Sequence, residues 1–164
     1  MLKAIQEKVT ERGSVNKTDA YGTSLLFEYL EKYYQRYERD AAPPAPPAEI
    51  IKGLEWFLSQ GADVSLGRFL FPLVLAVCHL DVFMTEWLLS HGADPNACPE
   101  DEVDVPNYCL YCMGNHRYLS LREEDFPLEE QVAVKKILDL LQAYGVRGSW
   151  QGITLNDEGV RIEE

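Results

Sequence analysis

The sequence contains no apolar run long enough to cross a membrane. The longest, Phe69 to Cys78, is interrupted by Pro72 and has about half the length that a membrane-spanning helix needs. The first twelve residues, MLKAIQEKVTER, carry charged side chains in every turn and have no apolar stretch of the kind found in signal peptides. We therefore expect a cytoplasmic protein that does not associate with membranes.

Basic residues are scarce relative to acidic ones. The chain has 15 Lys and Arg against 27 Asp and Glu, which gives a net charge of −12. This balance argues against nucleic-acid binding, because cationic side chains that neutralise phosphates supply most of that affinity. It fits a basic protein partner, and it also fits a charge that serves solubility alone. The acids are densest between Ala97 and Gln131, where a solvated loop or a binding patch would account for them.

Cysteine is also scarce, and in a reducing compartment the four thiols are expected to stay free of disulfides. The motif Cys109-x-x-Cys112-x-x-x-His116, with Cys98 upstream, has the donor types of a tetrahedral zinc site. Two cysteines three positions apart on a helix also serve as small apolar core residues, and we favour that interpretation. A zinc site is kept as the remote alternative, and no cofactor is expected.

The sequence lacks the common catalytic motifs. It has no Gly-x-Ser-x-Gly, no phosphate-binding P-loop and no His-Glu-x-x-His. His79 and His91 lie near predicted helix ends, where an imidazole has a structural role. We therefore predict a protein that is not an enzyme.

A repeated segment is the strongest positive signal. Trp56 to Ser65, WFLSQGADVS, is echoed by Trp87 to Asn96, WLLSHGADPN, and the glycines Gly61 and Gly92 lie 31 positions apart. In each copy an apolar helical pattern ends at a glycine, which supplies the left-handed residue that stops a helix. Internal similarity at such a period is typical of repeat proteins.

These segments resemble the ankyrin-repeat family, whose second helix ends in Leu-Leu-x-x-Gly-Ala-Asp-x-Asn. The other half of the family motif, Asp-x-x-Gly-x-Thr-Pro-Leu-His-x-Ala, is similar to Asp19 to Phe27 and to Phe71 to Ala76. In these stretches Ser24 can cap a first helix and Pro72 suits a first helical position. The resemblance implies an all-α solenoid of about three and a half helix–turn–helix repeats, which must stack to bury their apolar faces.

The resemblance also implies one domain over residues 1–164. Its parts are an N-terminal half repeat (1–18), a first repeat with a Pro-rich insertion at 40–48 (19–65), a second repeat (66–96), a third repeat with the acidic insertion (97–149), and a tail (150–164). Leu2 to Arg12 is expected to be the helix of the half repeat, and Val132 to Tyr144 the last helix. The tail is either frayed or a β-hairpin that caps the last repeat, with Trp150 over the final helices.

The first repeat departs from the family pattern. Its opening helix is expected to continue through Tyr33 and Tyr37 to about Arg39, and its second helix to begin near Glu49. The Pro-rich insertion between them should be extended, as a stiff spacer or as a docking peptide. The additional tyrosines are either exposed, as in a binding interface, or packed beneath that insertion.

Ankyrin arrays bind proteins through a concave surface of loop tips and first helices, and the resemblance implies the same here. The expected contact residues are Tyr21, Phe27, Glu31, Arg68, Phe69, Asp101, Glu102 and Asp104. Aromatic side chains bordered by carboxylates suit a basic partner. We expect a monomer that binds such a protein, in the specific form of a bacterial immunity protein that neutralises a toxin. The alternatives are a general adaptor or scaffold and, more remotely, a small zinc-binding protein.

Overall fold

The computed structural model describes residues 1–36, 45–97, 128–147, 153–156 and 159–162. In these ranges the helices are α1 (Leu2–Arg12), α2 (Leu25–Tyr34), α3 (Ala48–Ser59), α4 (Pro72–Cys78), α5 (Val82–Ser90) and α6 (Leu128–Ala143). Strands β1 (Ile153–Asn156) and β2 (Gly159–Ile162) pair antiparallel, with Ile153 opposite Ile162. Apart from these two strands the elements in the described part are helices, as the sequence predicts for the all-α class.

The predicted helix starts are confirmed at two positions. Ser24 precedes α2, and its Oγ accepts a hydrogen bond of 3.2 Å from the backbone N–H of Phe27. Pro72 is the first residue of α4, where its missing N–H would have no helical acceptor. Asp81 caps α5 in the same way as Ser24, since its Oδ1 accepts from the N–H of Met84 at 2.9 Å.

Four helices end at a glycine in the left-handed conformation. The φ angles are 78° at Gly13, 72° at Gly61, 94° at Gly92 and 84° at Gly145, after α1, α3, α5 and α6. The residue after the glycine then donates to the carbonyl five positions back in three of them, as Ala62 to Phe57, Ala93 to Leu88 and Val146 to Leu141. The same residue pattern therefore produces the same helix end.

A side chain that follows each of the first three glycines bridges to the next glycine turn. Asn16 donates through Nδ2 to the carbonyl of Gly61 at 2.9 Å and accepts at Oδ1 from the N–H of Asp63 at 2.8 Å. Two further side chains repeat this arrangement. The Ser65 hydroxyl donates to the carbonyl of Gly92 at 3.0 Å and accepts from the N–H of Asp94 at 2.9 Å. Asn96 donates to the carbonyl of Gly145 at 3.1 Å and accepts from the N–H of Arg147 at 2.7 Å. The turns therefore stack in one register.

The apolar core lies between the stacked helices. α1 packs against α2, α2 against α4, α4 against α5, and α5 against α6. The largest fully buried side chains include Tyr29, Tyr33, Phe57, Met84 and Leu88. Tyr29 contacts Phe57 edge to face, with ring centroids 5.4 Å apart, and its ring fills the space beside Gly53. Tyr29 of α2 thus packs directly against α3.

Charged side chains fix α1 to α2. Lys8 and Arg12 of α1 both pair with Glu28 of α2, the Arg12 contact being 2.6 Å long. Arg12 also donates through Nη1 to the carbonyl of Lys17 at 3.1 Å. The N-terminal helix is thereby held at the same time to α2 and to the turn that follows α1.

The boundary predicted for the end of α2 is wrong. The helix ends at Tyr34 and not near Arg39; Tyr34 is buried, and two residues later Arg36 pairs with Glu49 of α3 at 2.7 Å. Tyr33 and Tyr34 are buried, so of the two interpretations of these tyrosines the exposed one is excluded. Residues 37–44, with Tyr37 and most of the Pro-rich insertion, lie outside the described residues.

The other helix boundaries agree with the sequence or lie close to it. α1 spans the predicted residues, and α3 begins at Ala48, directly after Pro47. Within the remainder of the Pro-rich insertion Pro46 is buried, which favours a spacer over a docking peptide. α6 begins at Leu128, four positions before the predicted start. None of the helices in the described ranges is long and apolar enough to cross a membrane.

Candidate functional site

Tyr21 lies at the tip of a tight turn before α2, and its side chain is 78% exposed. The turn is built on Asp19, whose Oδ1 accepts from the N–H groups of Tyr21 and Thr23, both at 2.9 Å. The N–H of Gly22 closes the turn by donating to the carbonyl of Asp19 at 3.1 Å. The backbone N–H of Thr23 holds the pKa of Asp19 below its usual value. The Tyr21 ring is therefore presented on a rigid support.

The loop before α4 presents a second group of side chains. The Arg68 guanidinium lies over the Phe69 ring, with its central carbon 4.8 Å from the centroid, and such a contact is a cation–π interaction. Arg68 is exposed, Phe69 is half-buried, and Leu70 is 46% exposed. A mixed aromatic, cationic and aliphatic surface of this kind is suited to contact with another protein.

The two loops are joined directly. The N–H of Arg68 donates to the carbonyl of Gly22 at 3.2 Å, and this bond joins the turn of Tyr21 to the loop of Arg68 and Phe69. We refer to Tyr21, Arg68, Phe69 and Leu70 as the tip surface. Three of its members are predicted contact residues. Leu70 was not predicted as a contact residue. An apolar residue in the loop directly before Phe71 and Pro72 was the signal that could have indicated it.

Two predicted contact residues lie apart from the tip surface. Glu31 is exposed on α2. Phe27 is only 5% exposed, so the prediction that its ring contacts a partner is wrong. Its position in the first turn after the Ser24 cap places it in a run of buried residues that extends from Leu25 to Leu30 and is broken only at Glu28. Asp101, Glu102 and Asp104 lie outside the described residues.

The zinc candidates Cys98, Cys109, Cys112 and His116 also lie outside the described residues. Within the described ranges, no group of three or more His, Cys, Asp or Glu side chains is placed to hold a metal ion. Cys78 is half-buried at the end of α4.

A buried cluster of titratable groups joins α2 to the turn between α4 and α5. The Tyr34 hydroxyl donates to Oδ2 of Asp81 at 2.9 Å, and its ring stacks on His79, with centroids 4.2 Å apart. Burial raises the pKa of Asp81, and burial followed by the Asp81 charge raises the pKa of Tyr34 well above its usual value. Both Asp81 oxygens accept hydrogen bonds, Oδ1 from Met84 and Oδ2 from Tyr34, so the cluster connects elements of the fold.

Comparison of the chain with protein-family models, with curated proteins and with solved structures found no match.

Proposed function

We propose that the chain is an ankyrin-type solenoid of about three and a half repeats. Two regularities support this assignment: the left-handed glycine that ends α1, α3, α5 and α6, and the bridges that Asn16, Ser65 and Asn96 make to the next turn. Strands β1 and β2 would then cap the C-terminal end of the stack. Stacked units of this kind present their loops along one edge, which is a geometry suited to binding.

We further propose that the protein binds another protein without catalysing a reaction, and that the tip surface makes the contact. The observation that carries this proposal is the exposure of Tyr21 and Leu70, 78% and 46%, on two loops joined by a hydrogen bond. Exposed apolar side chains that cluster on a rigid support are typical of binding sites. A tyrosine and an arginine are also the residue types most often found at the centre of interfaces.

The net charge of −12 supports a basic partner. A field of this sign accelerates the encounter with a cationic protein, and its effect falls with ionic strength. The specific form that we propose is a cytoplasmic immunity protein that binds a basic toxin as a monomer. A general adaptor or scaffold with the same tip surface is the alternative.

Photo-cross-linking from the tip surface tests the proposed contact. A benzophenone amino acid replaces Tyr21 in one variant and Glu86, an exposed residue of α5, in a control. We expect position 21 to cross-link one protein that position 86 does not capture. The purified partner should then bind the wild type with an affinity that falls as salt rises. Cross-links from position 86 alone would contradict the assignment of the surface.

Co-expression separates the two forms of the proposal. If the cross-linked partner is a toxin, the wild-type protein should restore growth of cells that produce it, and Tyr21→Ala should restore growth less well. A partner that has no effect on growth would instead support the adaptor.

A further inference from the structure

Gly22 lies at a close approach between the two loops of the tip surface. Its φ of +77° is in the left-handed region, which side chains other than glycine rarely adopt. A Cβ added at this position would collide with Cβ of Arg68 and would lie 3.3 Å from Cδ. Because Cβ is fixed to the backbone, Arg68 could avoid that collision only if its loop moved away.

The loops on both sides of this contact are themselves constrained. Asp19 holds the turn of Tyr21 through the N–H groups of Tyr21 and Thr23. In the other loop Gly67 lies against the carbonyl oxygen of Leu70, so that a Cβ there would also collide. With both loops tightly built, their relative position depends on the contact between Gly22 and Arg68.

We propose that Gly22 is a positioning residue that makes Tyr21 and the Arg68–Phe69 pair one contact element across two repeats. This inference rests on the proposed function of the tip surface. The partner would contact Tyr21 on one loop together with Arg68 and Phe69 on the other, because the Arg68 amide joins the second loop to Gly22 of the first. Groups that are already in place bind more tightly, since no ordering accompanies binding.

The substitution Gly22→Ala tests the positioning role, and Gly13→Ala is its matched control. Gly13 has a φ of +78° with no atom within 4 Å of an added Cβ, so alanine there introduces the same backbone strain without a collision. Any loss of stability in Gly22→Ala beyond the loss in Gly13→Ala therefore reports the separation of the two loops. Arg68→Gly in the Gly22→Ala background removes the colliding Cβ and should return stability to the level of Gly13→Ala.

Hydrogen exchange gives a measurement that needs no partner. The Arg68 amide donates to Gly22, so in Gly22→Ala it should exchange at least about tenfold faster than in Gly13→Ala. Equal exchange of this amide in the two variants would overturn the inference, whatever the partner.

Binding is then measured with the protein that cross-links at position 21. We expect Gly22→Ala to weaken binding about tenfold relative to Gly13→Ala. In the wild-type background the effects of Tyr21→Ala and Phe69→Ala on the free energy of binding should be non-additive. In the Gly22→Ala background these two effects should become additive. If Tyr21→Ala weakens binding and Gly22→Ala does not, the inference fails and the proposed function stands. If Tyr21→Ala leaves binding unchanged, both fail.

Discussion

The Tyr34 hydroxyl donates a hydrogen bond of 2.9 Å to Oδ2 of Asp81, which lies 47 positions later in the chain. Both groups are buried, and Asp81 uses its other oxygen to cap α5. One contact therefore links the end of α2 to the start of α5. This long-range bond between buried groups leads to a prediction about stability.

Tyr34→Phe should destabilise the fold by about 1–3 kcal/mol, because it leaves a buried carboxylate oxygen without its donor while preserving the ring that stacks on His79. The change in the free energy of unfolding can be measured by urea denaturation. Tyr29→Phe is the control: that hydroxyl makes only longer contacts, of 3.3 and 3.4 Å, to backbone carbonyls. An equal loss in the two variants would show that the bond to Asp81 has no special contribution.

Asp81 and Asp19 should affect the pH dependence of stability in opposite directions. Burial raises the pKa of Asp81 above its unfolded value of 3.8. The contribution of Asp81 to the stability of the fold is therefore fully present below pH 3.8 and is lost as the pH rises through the folded pKa. The N–H of Thr23 lowers the pKa of Asp19, so its contribution is present above 3.8 and is lost as pH falls through the folded pKa.

The comparison requires urea denaturation of Asp81→Asn, Asp19→Asn and the wild type across the acid range. From acid to neutral pH, Asp81→Asn should gain stability relative to the wild type, and Asp19→Asn should lose it. Because each variant is compared with the wild type at the same pH, the contribution of the other carboxylates to the pH dependence cancels. Parallel curves for the two variants would mean that burial does not disfavour the Asp81 charge.

The Asn16 bridge should hold α1 and the turn after it against the Gly61 turn. Asn16→Ala removes two hydrogen bonds, to Gly61 and from Asp63, at a cost of about 1–2 kcal/mol. Since α1 lies at the end of the stack, its detachment should also appear as faster amide exchange confined to α1. Ser14→Ala, which removes only a local bond to the N–H of Asn16, should have a smaller effect. Uniform exchange changes along the chain would contradict a local role.

The helix ends could be predicted from the sequence where local interactions determine them. Gly13, Gly61 and Gly92 stop helices through their own conformation, and Ser24 and Pro72 start them through theirs. The end of α2 was not predicted, because no glycine or proline directly follows Tyr34 and the tyrosine pattern continues to Tyr37.

The tip surface was predicted in part for the same reason. The repeat pattern indicated that Tyr21, Arg68 and Phe69 lie at loop tips, and the structure joins those loops through Gly22. Burial of Phe27 could not be predicted, since a first-helix residue faces the core or the solvent according to how the neighbouring units pack.

Gly53→Ala should reverse the usual effect of replacing a glycine inside a helix. Alanine ordinarily stabilises such a position by about 0.5–1 kcal/mol, because glycine loses more backbone entropy on folding. Gly53 lies within α3, but the hydroxyl and Cζ of Tyr29 occupy the space where a Cβ would be placed. Both residues are buried between α2 and α3, so neither side can move freely. The added methyl group should therefore destabilise the fold by about 1–3 kcal/mol.

Combining Gly53→Ala with Tyr29→Phe identifies the source of that cost. The hydroxyl is the atom nearest to the added Cβ, so its removal should recover part of the stability lost in Gly53→Ala, and the two substitutions should be non-additive in urea denaturation. Lys52→Ala, at an exposed neighbouring position of α3, measures the effect of alanine on the helix alone. If the effects of Gly53→Ala and Tyr29→Phe are additive, the collision does not determine the packing of α2 on α3. A non-additive result would show that Gly53 sets the distance between α2 and α3.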